Sequence, residues 1–267
     1  MTIATLDQLV TALASPQQRF GFYKTVTPQA VSAFTSLWAC PGFPGAGADP
    51  SSGVGGSIPT DATAGAMPFT NPAGAVQTYL SRFAASLGAT AGMLILYDRL
   101  WHNSGLSPTS LTAQTVNSTA LTRPDANGAD VEAWFHVLGT LGAGSTAPTI
   151  SYTDQDGNSG NTGTLMNFVT TAATHRNFQF QLASGDSGVR SIQSYTNAAT
   201  LTSGTFSLIL RRRIAALALP NSNYGGMLDP LSGGLPSIPN DACLELMVFN
   251  GSAVAAFAYG GLSLIQG

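Results

Sequence analysis

The sequence predicts a mainly β chain: a jelly-roll-like β-sandwich with a short N-terminal helix and a long Gly/Pro-rich loop. Three observations predict it. Apolar or alternating runs of strand length recur along most of the chain, separated by Gly, Asn, Asp and Pro turn chemistry. There is no βαβ alternation and no internal repeat, which argues against a doubly wound parallel sheet. The 267 residues are 44% hydrophobic, ample for a core, and the length fits one large all-β domain or two small ones. We divide the chain into an N-terminal helix and arm over 1–28 and a single β-sandwich domain over 29–267 that includes an extended loop over 40–74.

The helix comes first. Leu6, Leu9, Val10 and Leu13 recur at helical spacing, Thr5 is placed to cap, Asp7 sits in the first turn and Pro16 ends the run. Such a helix is a lid on the core or an arm that docks on a partner. Residues 29–38 read as a strand. The stretch 40–74 is too long and too rich in Gly and Pro for an ordinary connection. Its apolar residues Phe43, Val54, Ile58, Met67 and Phe69 favour an ordered, surface-hugging loop over a flexible linker.

Strand signals then follow almost to the end. The runs 76–87 and 93–101 are apolar, and 131–138 follows the turn signal Asp125-Ala126-Asn127-Gly128. Ile150 and Tyr152 share one face. Phe178, Phe180 and Leu182 alternate with Gln179 and Gln181. Further strands are expected over 206–219 and 243–249, with a last pair in 254–265. The span 246–267 carries no charge and is long enough to raise the question of a membrane helix. Asn250, Gly251, Ser252, Gly260, Gly261 and the lack of basic flanks fit two buried strands joined at Asn250-Gly251 better. The opening MTIATLDQLV shows no basic n-region and no long apolar h-region, so no signal peptide is expected.

Charge is scarce. Only 9% of residues are charged, against about 25% in an ordinary soluble domain, and Lys24 is the only lysine. Desolvating a charge is costly, and the cores of protein interfaces are depleted in charge for that reason. The composition points to a subunit covered by neighbours, or to a neutral hydroxyl and amide surface. The net charge of -3 offers no electrostatic footprint for nucleic acid. Cys40 and Cys243 are read as two buried free thiols.

Candidate chemistry is thin. Gly185-Asp186-Ser187-Gly188 resembles the nucleophile stretch of trypsin-like serine proteases, yet no base and orienting group stand in the matching pattern, and a β-turn explains the residues. Asp154-Gln155-Asp156-Gly157-Asn158 resembles the opening of a calcium loop but lacks its closing acid, so a hairpin tip is expected. His102, His136 and His175 show no metal-ligand spacing. Glu132 and Glu245 are the only glutamates, and Glu132 shares a strand face with Trp134 and His136. Arg211-Arg212-Arg213 is the only charge cluster. Arg211 and Arg213 point to one face, either pairing with acids at a strand end or meeting an acidic neighbour. No catalytic residue, metal or cofactor is expected.

Two groups of residues carry a resemblance. Ser36-Leu37-Trp38, Pro41-Gly42-Phe43-Pro44-Gly45-Ala46-Gly47 and Asp49-Pro50-Ser51-Ser52 form the first. Leu96-Tyr97-Asp98-Arg99-Leu100-Trp101-His102-Asn103, with Tyr152-Thr153-Asp154-Gln155-Asp156-Gly157, forms the second. These are similar to stretches in structural proteins of tailed-bacteriophage genomes, over about half of the chain. The resemblance implies a virion component near the head: a decoration, cement or minor capsid protein, made in the host cytoplasm and held on the capsid surface. The implied partners are the major capsid protein and further copies of the chain, as a homo-oligomer such as a trimer, with no membrane and no nucleic acid. It brings no functional residues with it.

The expected partner contacts are Phe43, Val54, Ile58, Arg211 and Arg213, carried by the 40–74 loop and the strand end, together with the N-terminal helix. Removal of 41–58 is expected to abolish particle binding while the sandwich stays folded. Three other readings stay open: a carbohydrate-binding or adhesin module using Trp38, Trp101 and Trp134, a tail structural component, and a hydrolase.

Overall fold

The computed structural model describes residues 2–26, 30–123, 127–144, 147–253 and 256–267, without the side chains of Val26 and Ala256. The elements in chain order are α1 (Leu6–Ala14), β1 (Gln18–Val26), β2 (Phe34–Ser36), β3 (Gly42–Phe43), β4 (Thr78–Gly88) and β5 (Gly92–His102). There follow β6 (Gln114–Thr115), β7 (Val131–Gly139), β8 (Thr149–Asp154), β9 (Asn161–Leu165), β10 (Arg176–Gln181) and β11 (Val189–Thr196). The last are β12 (Thr205–Leu219), β13 (Gly225–Leu228), β14 (Ser237–Ile238), β15 (Leu244–Asn250) and β16 (Ala256–Gln266). The chain is mainly β, as its periodicities predict.

In place of the one domain expected over 29–267, the backbone forms two compact units. The first comprises Met1–Gly47, Thr60–Tyr97 and Ile214–Gly267; the second comprises Ala48–Pro59 and Asp98–Arg213. Each has its own hydrophobic cluster. A length of 267 residues admits both divisions, and only long-range pairing chooses between them.

The first unit is a sandwich. One layer is an antiparallel six-stranded sheet in the order β13-β4-β16-β1-β3, with β14 also on β4. The other is built from β2, β15 and residues 92–97 and 214–219 of β5 and β12. Phe22, Phe83, Ala258 and Leu262 from the first layer cluster with Leu94, Leu96, Leu217, Leu246 and Val248 from the second. Strand β1 lies inside the stretch expected to be an arm. Phe20, Phe22 and Lys24 alternate toward the core, and the lysine in that series hides the strand pattern. The predicted strand over 29–38 shrinks to β2, and Gln29 lies outside the described residues. The last pair expected over 254–265 is the single strand β16; residues 254–255 lie outside the description. Strand β15 does not pair with β16 as a hairpin, because β15 joins β2 while β16 runs between β4 and β1.

Helix α1 forms where its signals place it. Thr5 and Gln8 make a reciprocal capping box, and Ser15 ends the helix. Its inner face, Ala12 with Ile3 and Leu9, packs on Tyr79 and Ile265.

In the second unit, residues 205–212 of β12 pair with β7, and the order continues β10-β9-β8-β11-β6. An isolated bridge between Ala129 and Gly188 brings the start of β11 back beside β7. That return needs glycine on both sides. A Cβ on Gly188 would stand 2.1 Å from the Gly128 carbonyl oxygen, and one on Gly128 would stand 2.5 Å from that of Val189. Asp125 and Ala126 of the expected turn lie outside the described residues. The core alternates as the sequence does: Ile150 and Tyr152 on β8, Phe178 and Phe180 on β10, with Phe135 stacked on Phe206 at 4.4 Å between centroids.

This unit also buries polar groups. Arg123 makes a two-pronged contact with both oxygens of Asp98 at 3.2 Å and donates to the carbonyls of Arg99 and Pro59. Asn177 Oδ1 accepts from Arg211 at 3.0 Å and lies 3.0 Å from His136 Nδ1, which places the imidazole proton on Nδ1. Arg99 Nε donates to His102 Nδ1 at 2.9 Å. Burial lowers the pKa of all three histidines. For His102, burial first, then Arg99 and Arg211, brings it down to about 2.

Two outcomes are expected. Gly188→Ala, which puts a Cβ against fixed backbone, costs about 1–3 kcal/mol of stability in chemical denaturation. The histidine pKa values are lower in the folded than in the unfolded chain, where they lie near 6.5. Their contribution is therefore complete above about pH 6.5 and is lost as pH falls toward the folded values, by about 1.4 kcal/mol per pH unit for each of the buried His102 and His136 and by less for the half-buried His175. Denaturation midpoints measured from pH 7.5 to pH 5 should fall, and His102→Asn should flatten the fall. A midpoint independent of pH over this range would contradict the burial of neutral histidines.

Candidate interaction surface

Strand register defines what the six-stranded sheet of the first unit presents on the side away from its core. Because side chains alternate, residues in register share a face. Phe22, Gly260 and Ala85 are partners on the core side. The neighbouring row on the other side is Phe43, Tyr23, Tyr259, Ser86 and Gly225. The row on one side of it is Thr25, Phe257 and Gly88; on the other side lie Gly21, Gly261, Ala84 and Met227, and then Arg19, Ser263 and Arg82.

Read along the strands, this outer face has an aromatic end, a trough of small residues and an arginine end. Tyr23 stacks on Phe257 with centroids 5.7 Å apart. Tyr23, Phe43, Phe257, Tyr259 and Met227 are all exposed. The glycines of the trough leave room for an apolar side chain to approach the backbone. No acid stands in these four rows.

The face continues onto the helix. Leu13 lines a groove of about 450 Å³ together with Arg19, Arg82, Met227 and Asp229. Asp229 is engaged locally, accepting from the backbone N–H groups of Leu231 and Ser232 and from the Ser232 hydroxyl. Leu6 (71% exposed), Val10 and Leu13 form a second apolar stripe on α1, turned away from the stripe that packs inward.

The residues singled out in the sequence fall differently. Phe43 is exposed at the edge of this face, and Val54, in the second unit, is also exposed. Ile58 is half-buried. Arg213 is exposed and lies 3.9 Å from Glu132. Arg211 is a correction: it is fully buried, donates to Asn177 and sits 5.7 Å from the Trp134 ring centroid, so it offers nothing to a neighbour. Glu132 and Trp134 do share a face, with the indole N–H donating to the carboxylate at 2.9 Å.

Other readings are also corrected. Trp38, Trp101 and Trp134 are at most 2% exposed and cannot stack on a sugar ring. The 41–58 segment is not dispensable, because its carbonyls are bound within the fold. Lys24 donates to Gly45, Trp101 to Gly55 and Asn103 to Val54. Removing it would strip acceptors from buried donors, so the fold would not survive unchanged.

The Asp154 loop is a closed hairpin tip. One Asp154 oxygen accepts from the N–H groups of Asp156 and Asn158, and the other from the side chains of Asn158 and Asn161. At the Gly185–Gly188 turn, Asp186 accepts from the Tyr152 hydroxyl and Gln155 receives two backbone N–H groups. Cys40 and Cys243 are both buried and neither is in a disulfide.

The distribution of charge is the feature that composition could not give. Of the ten cations, Lys24, Arg99, Arg123 and Arg211 are buried. Burial pushes the Lys24 ammonium below its ordinary value, opposed by Cys40. The basic side chains left exposed are Arg19, Arg82 and Arg213.

No helix among the described residues is long and apolar enough to cross a membrane. No family model matches this chain, and no curated protein matches it. Solved structures similar to it include infectious bursal disease virus particles. A structure of the Gt strain is 9% identical, over 94% of this chain and 81% of that one, with a TM-score of 0.19. The VP2 subviral particle of the same virus is 7% identical, over 94% and 79%, with a TM-score of 0.21. Scores of this size do not establish a common fold.

Proposed function

We propose that this chain is a non-enzymatic structural subunit of a virion, held on the outer lattice of a tailed-bacteriophage capsid as a decoration or cement protein. Its partner is the major capsid protein. The observation that carries the reading is the withdrawal of cations from the surface: the single lysine and three arginines are inside, while large aromatic and aliphatic side chains stand outside. Covering such a surface strips water from few charges, so apolar burial is offset by little desolvation. A subunit that binds only the assembled shell stabilises it by mass action. Phe43 and Val54 are the contact residues of this reading; Arg213, exposed in the middle of β12, already has Glu132 3.9 Å away. The resemblance to phage structural proteins supports the same assignment.

The test is light scattering on size-exclusion fractions of the protein mixed with expanded capsids and, separately, with isolated tails. Co-elution with capsids is expected, weakened at least ten-fold by Phe43→Asp or Val54→Asp with the circular dichroism spectrum unchanged. Binding to tails alone moves the protein to a tail component, and binding to neither overturns the virion reading.

A second expectation concerns the interior charge. An amine-reactive ester applied to the native protein should leave Lys24 unmodified by peptide mapping, and modify it after denaturation. Labelling of Lys24 in the native state would place that charge at the surface and remove the main support of this proposal.

A further inference from the structure

We infer that the outer face of the first unit's six-stranded sheet is a self-association surface, and that its occupant is helix α1 of a second copy of this chain. The inference does not rest on the virion reading, since it concerns the isolated protein.

Three observations carry it. The first is apolar extent. Leu6, Val10, Leu13, Tyr23, Met227, Phe257 and Tyr259 are 36–71% exposed. Their exposed side-chain area is roughly 700 Å², taking about 150–250 Å² for a whole aromatic side chain. The largest patch on a typical monomer is about 300–600 Å², and a stable interface buries about 800 Å² per partner.

The second is charge. Asp7 is the only charged residue of α1, and it lies beside the Leu6, Val10, Leu13 stripe. Arg19 and Arg82 are the only charged residues in the four outward rows of the sheet, and they flank Ser263 at one end of the trough. The helix thus carries one acid next to an apolar stripe, and the sheet carries two exposed arginines next to an apolar trough.

The third is length. Leu6 to Leu13 advances about 10.5 Å along a helix axis. From the Arg19 row to the Tyr23 row is four strand residues, about 13 Å. With Asp7 against the arginine pair, Val10 and Leu13 therefore run over Gly21, Gly261 and Ala84 toward the Tyr23 and Tyr259 rings. Leu13 already borders the groove at the arginine end, so stripe and trough form one continuous surface. Such a surface is self-complementary, because each copy supplies both parts.

The experiment is sedimentation velocity on the full chain from about 1 to 100 μM, without particles. The parent should self-associate. Asp7→Arg and Arg82→Asp should each weaken association at least ten-fold, and the chain carrying both should recover to within about three-fold of the parent, because the exchange restores the pair. Tyr259→Asp should abolish association with the fold retained by circular dichroism. A monomer throughout the range overturns the inference. So does a doubly exchanged chain no better than its single variants, which would show that Asp7 and Arg82 do not meet across copies. Capsid binding is read separately through Val54, which lies in the second unit, because Phe43 stands at the edge of this same face.

Discussion

The constraint on which the rest depends is the need to satisfy the carbonyl oxygens of a long segment that forms almost no ladder of its own. Between residues 40 and 74 the only strand is β3, two residues long. Buried carbonyls without partners cost about 1–3 kcal/mol each, so donors must reach them from elsewhere. In the first unit, Lys24 reaches Cys40 and Gly45. In the second, Trp101 reaches Gly55, Asn103 reaches Val54 and Arg123 reaches Pro59. These donors project from strands and fixed loops, so the irregular segment inherits their rigidity.

That arrangement accounts for two of the four buried cations, Lys24 and Arg123. Arg99 and Arg211 are held instead by His102 and Asn177, and none of the four is available to solvate the surface. A chain with only ten cations that commits four of them to its interior leaves few to keep its exterior wet. The exterior is then dominated by hydroxyls, amides, glycines and exposed aromatic rings. The outer sheet face, with rings at one end and arginines at the other, is the clearest expression of this.

The stretches 36–52 and 96–103 gain a physical meaning here. Asp98, Arg99, Trp101, His102 and Asn103 are all buried, and they hold Arg123, the 53–57 backbone and one another. Gly47 lies against Trp38, where a Cβ would stand 2.3 Å from the indole ring. These residues build the fold and do not touch a partner. Phe43, from the first of these stretches, is exposed, as are Val54, Tyr23 and Tyr259.

By itself the sequence determined the mainly β class, the capped helix, most of the long strands and two buried cysteines outside any disulfide, because these follow from local periodicity, turn chemistry and residue count. It also marked the closed turns at Asp154 and Gly185, whose side chains bond to their own neighbourhood. Only the tertiary structure decided that β1 lies between β16 and β3, that β15 and β16 part to different layers, and that there are two cores. It alone decided that Arg211 is inside while Arg213 is outside, although both lie on one strand face. It also exchanged the buried tryptophans for tyrosines and phenylalanines as the exposed aromatic set. The reason is the same in each case: a strand's two faces are chemically assigned by what packs across from them, and pairing between residues more than two hundred positions apart, as in Tyr23 with Tyr259, leaves no mark in either segment alone.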